Sequence, residues 1–165
     1  MFKVLFMCTA NICRSPLAEA IFNHMVKNGN IREQIVAESS GTWANDGNSA
    51  GSLSQQVAQE NGLDLSAHRS KPMTPQLIKE ADLVLCMTPV HKNDVLKIFP
   101  HFDNKVFNLK EFAREIPPRK KAIDDPIGMN LNFCRGICRE LEDEIRRILP
   151  VVEQLATQKA NLINM

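Results

Sequence analysis

Tyrosine is absent from this chain and tryptophan occurs once, so little is available for building aromatic walls around a ligand. Neither sign of charge dominates. With 20 Lys and Arg against 19 Asp and Glu, the 165 residues carry a formal net charge of +1, which leaves no footprint for nucleic acid or for an anionic membrane surface. No apolar run is long enough to span a bilayer, no signal-peptide pattern opens the sequence, and Phe2 excludes an N-myristoyl signal. Internal repeats and low-complexity segments are missing as well. Five cysteines make an odd count without zinc spacing, and His24, His91 and His101 read as surface or cap residues, so no metal is expected. Free thiols without a leader place the expected compartment in the reducing cytoplasm.

What is present is a 44% apolar content, enough for one domain with an ordinary core. Short continuous apolar runs alternate with stretches of helical period, the pattern of an α/β fold. Strands are expected at residues 3–8, 35–39, 83–87 and 105–108, and helices at 16–28, 52–61, 75–80, 89–98 and 132–148. Gly29 and Gly62 stand where helices should stop. On this reading residues 1–150 form the domain, and 151–165 either extend the last helix beyond Pro150 or fray as a tail. Cys134 and Cys138, one helical turn apart, read as core packing. The charges of Glu140, Glu142, Asp143, Glu144, Arg146 and Arg147 read as an exposed helix face.

The most informative stretch is Cys8-Thr9-Ala10-Asn11-Ile12-Cys13-Arg14-Ser15-Pro16, which follows the apolar run Val4, Leu5, Phe6, Met7. Five residues between Cys8 and Arg14 let the backbone curl once, so that the N–H groups of the residues after Cys8 point inward as an anion nest. Ser15 is an N-cap type and Pro16 suits a first turn, so a helix should start at Ser15 or Pro16 with its positive end at the same spot. A helix N-terminus and an arginine favour the thiolate, the nucleophilic form of cysteine. The guanidinium of Arg14 can grip two phosphoryl oxygens at once, as a lysine could not. The combination implies phosphoryl transfer to sulfur. Taken singly, Cys8 and Cys13 could be inert core residues and Arg14 a solvated charge; the preceding strand, Asn11 and the Ser-Pro helix start make the catalytic reading the stronger. Asp124-Asp125-Pro126 offers a carboxylic acid for the leaving oxygen, a contribution of roughly 10²–10⁴-fold, although Asp-Pro alone is also common turn chemistry. Arg119-Lys120-Lys121 just upstream reads as a solvated loop rather than a steering patch.

These residues resemble the active-site loop of the low-molecular-weight protein tyrosine phosphatases, which runs Cys, any residue, Gly, Asn, Ile, Cys, Arg, Ser. Only position 10 differs, and a left-handed φ at Ala10 would cost about 1 kcal/mol. The resemblance covers nearly the whole chain. It implies a three-layer α/β sandwich with a four-stranded parallel sheet in the Rossmann-like, flavodoxin-like order 2-1-3-4, and a reaction through phosphocysteine without a cofactor. It makes Cys8 the nucleophile and Asp125 the general acid, with Asp124 as the fallback. Phosphate contacts fall to residues Thr9, Ala10, Asn11, Ile12, Cys13, Arg14 and Ser15. Asn11, Ser15, Ser39 and His68 are implied to hold the loop in shape, with Ser15 also donating to the Cys8 thiolate. Cys13 is implied to trap an oxidised Cys8 as a disulfide. The implied partner is a phosphorylated protein, such as an autophosphorylating tyrosine kinase, met by a monomer or weak dimer.

Members that act on phosphotyrosine usually follow Asp-Pro with an aromatic residue and carry another a few residues after the Ser-x-Gly-Thr element. Here those places hold Ile127 and about Asn45, with Trp43 close but out of register, so Ile12, Trp43, Asn45 and Ile127 form the candidate substrate wall. The segments 81–88, 105–111 and 125–128 are most similar to the bacterial protein-arginine-phosphatase branch. That branch carries a threonine where this chain has Ile12, whereas isoleucine goes with tyrosine phosphatases. Phosphotyrosine is therefore the expected substrate and phosphoarginine the alternative. Two other readings stay open. A thioredoxin-coupled arsenate reductase would use Cys86 and a second relay cysteine where Asn93 stands, and a phosphoprotein-binding module would need neither nucleophile nor acid.

Overall fold

Strands β1 (Phe2–Cys8), β2 (Ile35–Gly41), β3 (Leu83–Cys86) and β4 (Val106–Asn108) pair in the order β2-β1-β3-β4, and every pair is parallel. This is the order implied by the resemblance. The structure is a computed structural model that describes residues 1–27, 29 and 34–163; the expected helix end at Asn28 and the last two residues of the tail lie outside the described residues.

Alternation along β1 explains the layers. Val4, Phe6 and Cys8 turn toward α1 (Arg14–Lys27) and α5 (Leu131–Ile163), whereas Leu5 and Met7 turn toward α3 (Pro75–Glu80) and α4 (Pro89–Ile98). All five side chains are buried, as in a parallel sheet covered on both faces. The first layer also holds α2 (Ser52–Glu60), packed on α5. Local signals set several boundaries. Thr74 and Thr88 cap α3 and α4, each followed by proline in the first turn; Thr74 Oγ1 accepts from Leu77 N at 3.2 Å and Thr88 Oγ1 from His91 N at 3.4 Å.

Of the two readings of residues 151–165 the helical extension is the one seen: the last helix continues through Pro150 to Ile163, although an interior proline lacks a hydrogen bond and costs about 3 kcal/mol. The buried stripe of Ile145, Ile148, Val152 and Ala156 carries on past it, and Lys159 Nζ reaches Asp82 Oδ1 and Oδ2 at 2.7 and 2.8 Å. Those tertiary contacts offset the local penalty. One expectation needs correction: the charged run of α5 is not all solvated. Glu144 is buried, bound by Arg114 Nη2 at 2.8 Å and Arg147 Nε at 2.7 Å, while Arg147 donates to Phe112 O and Leu109 O.

Candidate active site

The carboxyl ends of β1 and β2 finish side by side, with Cys8 opposite Gly41, at the edge where parallel sheets place their ligands. From Cys8 the chain curls once and enters α1 at Arg14, one residue before the expected start, so Pro16 sits in the first turn. The loop's carbonyl groups are tied outward: Cys8 O accepts from Thr42 N at 2.9 Å, Thr9 O from Trp43 N at 3.0 Å, and Ile12 O from Gly51 N at 2.8 Å. His68 Nε2 lies 2.7 Å from Asn11 O. Among the described residues, no protein acceptor takes the backbone N–H groups of residues 9–14. Oxygens outside and N–H groups inside make an anion nest. Asn11 takes the left-handed turn at φ 56°, a value asparagine tolerates; Ala10 does not have a positive φ, so the strain expected there does not arise. Gly41 is demanded by proximity, because a Cβ would fall 2.4 Å from Thr9 O and 3.0 Å from Asn11 N.

Under the loop lies a buried polar network. Cys8 Sγ is 2.9 Å from Ser15 Oγ. Asn11 Nδ2 donates to both Ser15 Oγ and Ser39 Oγ at 2.9 Å, and Asn11 Oδ1 accepts from Lys71 N at 2.9 Å. Ser15 Oγ accepts from Asn11, and its own hydrogen faces two acceptors, the sulfur at 2.9 Å and the more distant Ser40 O at 3.4 Å. Ser39 Oγ in turn donates to Glu19 Oε2 at 2.5 Å. Asn11, Ser15, Ser39 and His68 thus meet around the loop, joined by Glu19. Its place one turn after Ser15 on α1 was the available signal.

Arg14 is buried, and its Nη1 and Nη2 donate to Ile123 O and Asp125 Oδ2, each at 3.0 Å. Its Nε is buried and, among the described residues, has no hydrogen-bond partner. Asp125 Oδ1 accepts from Ile127 N at 3.1 Å, which folds the Asp-Pro turn over the loop. Asp124 instead pairs with Lys120 at 2.6 Å, and Lys121 pairs with Glu111 at 2.7 Å, so only Asp125 of the two aspartates reaches Arg14. The small pocket here is lined by Cys8, Thr9, Ala10, Ile12, Cys13, Arg14, Asp125 and Ile127. Trp43 and Asn45 are not among them. Trp43 is 77% exposed with its Nε1 3.3 Å from Asp94 Oδ2, and Asn45 contributes its backbone oxygen to Ser70 Oγ.

The other cysteines and histidines sort by burial. Burial pushes the Cys13 thiol up from its ordinary value, with a hydrogen bond from Ser54 acting in the opposite direction. Cys86 is fully buried in β3, and burial pushes its thiol up as well. Cys134 and Cys138 are buried against the core. His24 and His101 are exposed, but His91 is a correction: it is buried beside the loop, because α4 packs its first turn against Thr9.

Residues 3–161 match the family described as low molecular weight phosphotyrosine protein phosphatase. The chain belongs to this family. The protein-arginine-phosphatase of Geobacillus stearothermophilus is 33% identical over 158 residues, covering 96% of this chain and 99% of that protein. A low molecular weight protein tyrosine phosphatase from T. tengcongensis overlays with a TM-score of 0.83 at 36% identity, over 91% of this chain and 99% of that one. A serine mutant of the YwlE arginine phosphatase, with its active site serine phosphorylated, overlays with a TM-score of 0.81 at 31% identity, over 95% of each chain. As a low-molecular-weight phosphatase, the chain is a cysteine-dependent phosphoric hydrolase. Among the described residues no helix is long and apolar enough to cross a membrane.

Proposed function

We propose that this phosphatase hydrolyses phosphoarginine on proteins, with Cys8 as nucleophile, Arg14 and the loop N–H groups as the phosphoryl clamp, and Asp125 as acid and base. The observation that carries the substrate is the pocket wall: no aromatic ring lines it among the described residues, and Ile12 and Ile127 are its only large apolar side chains. A phenyl ring would forgo the stacking that an aromatic wall supplies. The arginine phosphatases among the relatives support the same reading. Phosphotyrosine, expected from the sequence, is the second reading, favoured by Ile12 inside the pocket and by the relative from T. tengcongensis.

The steps follow from the geometry. Cys8 thiolate, receiving a hydrogen bond from Ser15, attacks phosphorus; the P–N bond breaks, and the Asp125 proton goes to the leaving nitrogen. Arg14 holds the equatorial oxygens as charge spreads over them. Asp125 then takes a proton from water, which attacks phosphorus, breaks the P–S bond and restores the thiolate. Rates on phosphoarginine and phosphotyrosine substrates, measured beside arsenate reduction, test the assignment. Phosphoarginine should be the fastest, Cys8→Ser should abolish turnover, and Asp125→Asn should slow it by roughly 10²-fold or more. Faster phosphotyrosine hydrolysis would favour the second reading. Inertness toward all three would favour a binding module.

A further inference from the structure

His91 is 4% exposed, and its ring is held between two threonine hydroxyls: Nε2 lies 2.8 Å from Thr9 Oγ1 and Nδ1 lies 3.1 Å from Thr88 Oγ1. Burial and the neighbouring Arg14 guanidinium push His91 down to about 4, so at neutral pH the ring is uncharged and carries one N–H. Thr88 Oγ1 already accepts from the His91 backbone N–H as the cap of α4, and among the described residues its own hydrogen has no protein acceptor but Nδ1. A Thr88 O–H that donates to Nδ1 puts the ring proton on Nε2, and this is the tautomer that a Thr88–His91–Thr9 relay requires. Nε2–H then donates to Thr9 Oγ1. The Thr9 hydroxyl hydrogen is thereby turned away from the ring, and Thr9 lines the pocket with Cys8 and Arg14.

We propose that His91 is a positioning residue which, through the Thr88–His91–Thr9 relay, aims the Thr9 hydroxyl proton at a phosphoryl oxygen held in the loop. The hydroxyl adds a side-chain donor on the α4 side of the loop. The inference rests on the proposed phosphatase site, but phosphate binding tests it apart from turnover.

The probe is inorganic phosphate, titrated into the full chain by calorimetry. Thr9→Val should weaken binding roughly tenfold or more, the range of a hydrogen bond to a charged group, and Thr9→Ser should recover most of the loss. His91→Leu should weaken it by a similar factor, His91→Gln should recover part through its amide N–H, and the Thr9→Val/His91→Leu double variant should bind no worse than the weaker single variant. Unchanged affinity in Thr9→Val, or losses that multiply in the double variant, overturns the relay. Nitrogen NMR of the wild-type His91 ring gives an independent reading if His91→Leu does not fold: Nε2–H is expected, and Nδ1–H overturns the proposal. A protein with this binding pattern that hydrolyses neither phosphoarginine nor phosphotyrosine would refute the proposed function and leave the relay standing. Hydrolysis with unaltered phosphate binding in Thr9→Val would do the reverse.

Discussion

Replacing Asn11 by alanine removes three hydrogen bonds at once and leaves an alanine at φ 56°. Two buried serines and the Lys71 N–H lose a partner, so the expected cost is about 2–4 kcal/mol in denaturant unfolding, with phosphate binding weakened in parallel. Oxidation provides a second prediction from single residues. If peroxide converts Cys8 to a sulfenic acid, attack by the Cys13 sulfur forms a disulfide and releases water, and the attacking form is the thiolate. Burial raises the Cys13 thiol, so the thiolate is scarce at neutral pH and disulfide formation should accelerate as pH rises. Mass spectrometry after peroxide treatment at pH 7 and pH 9 checks this; sulfinic Cys8 without a Cys8–Cys13 link at either pH counts against it. The placement of Cys8, Arg14 and their nest was legible in the sequence because five intervening residues define a single local curl. His91 was not, because it meets Thr9 across 82 positions, and no local pattern reports a contact of that range.

At the scale of elements, the same division between local and long-range causes holds. The Thr-Pro starts of α3 and α4 are local chemistry, and those helices fall where the sequence places them. Gly29 N closes on Val26 O at 2.9 Å and Gly62 N on Gln59 O at 3.1 Å, again by backbone means. The far half of α5 depends on what it packs against, and Pro150 by itself argues for a stop. Because the helix forms in spite of that residue, Pro150→Ala should raise stability by about 1–2 kcal/mol, read as an upward shift in Tm. A loss of stability would overturn that expectation. The clasp of Glu144 with Arg114 and Arg147 was hidden for a related reason: Arg147 is its neighbour on α5, but Arg114 comes from the turn after β4, and charge patterning along α5 alone reads as solvated.

At the scale of the whole molecule, His91 couples the site to folding. Its ordinary value of 6.5 falls to about 4 in the folded chain, through burial first and Arg14 second, with Asp94 and Asp125 acting in the opposite direction. Above pH 6.5 neither folded nor unfolded chain protonates it, and its full contribution is present. As pH falls from 6.5 toward 4, the unfolded chain takes up a proton that the folded chain refuses, so stability declines, by about 2 kcal/mol at pH 5 and about 3 kcal/mol near pH 4. The carboxylates of Glu60, Glu80 and Glu111 act in a lower window: hydrogen bonds from Arg135, Lys3 and Lys121 lower them from 4.5, so their contribution is present above that value and is lost only below it. Between pH 6.5 and 4.5, comparison with a variant that lacks the His91 imidazole isolates its share. Urea unfolding at pH 7.5 and pH 5 should show the decline in the wild-type chain and a much flatter response in His91→Gln, whose amide does not titrate; equal slopes in both would place the acid sensitivity elsewhere.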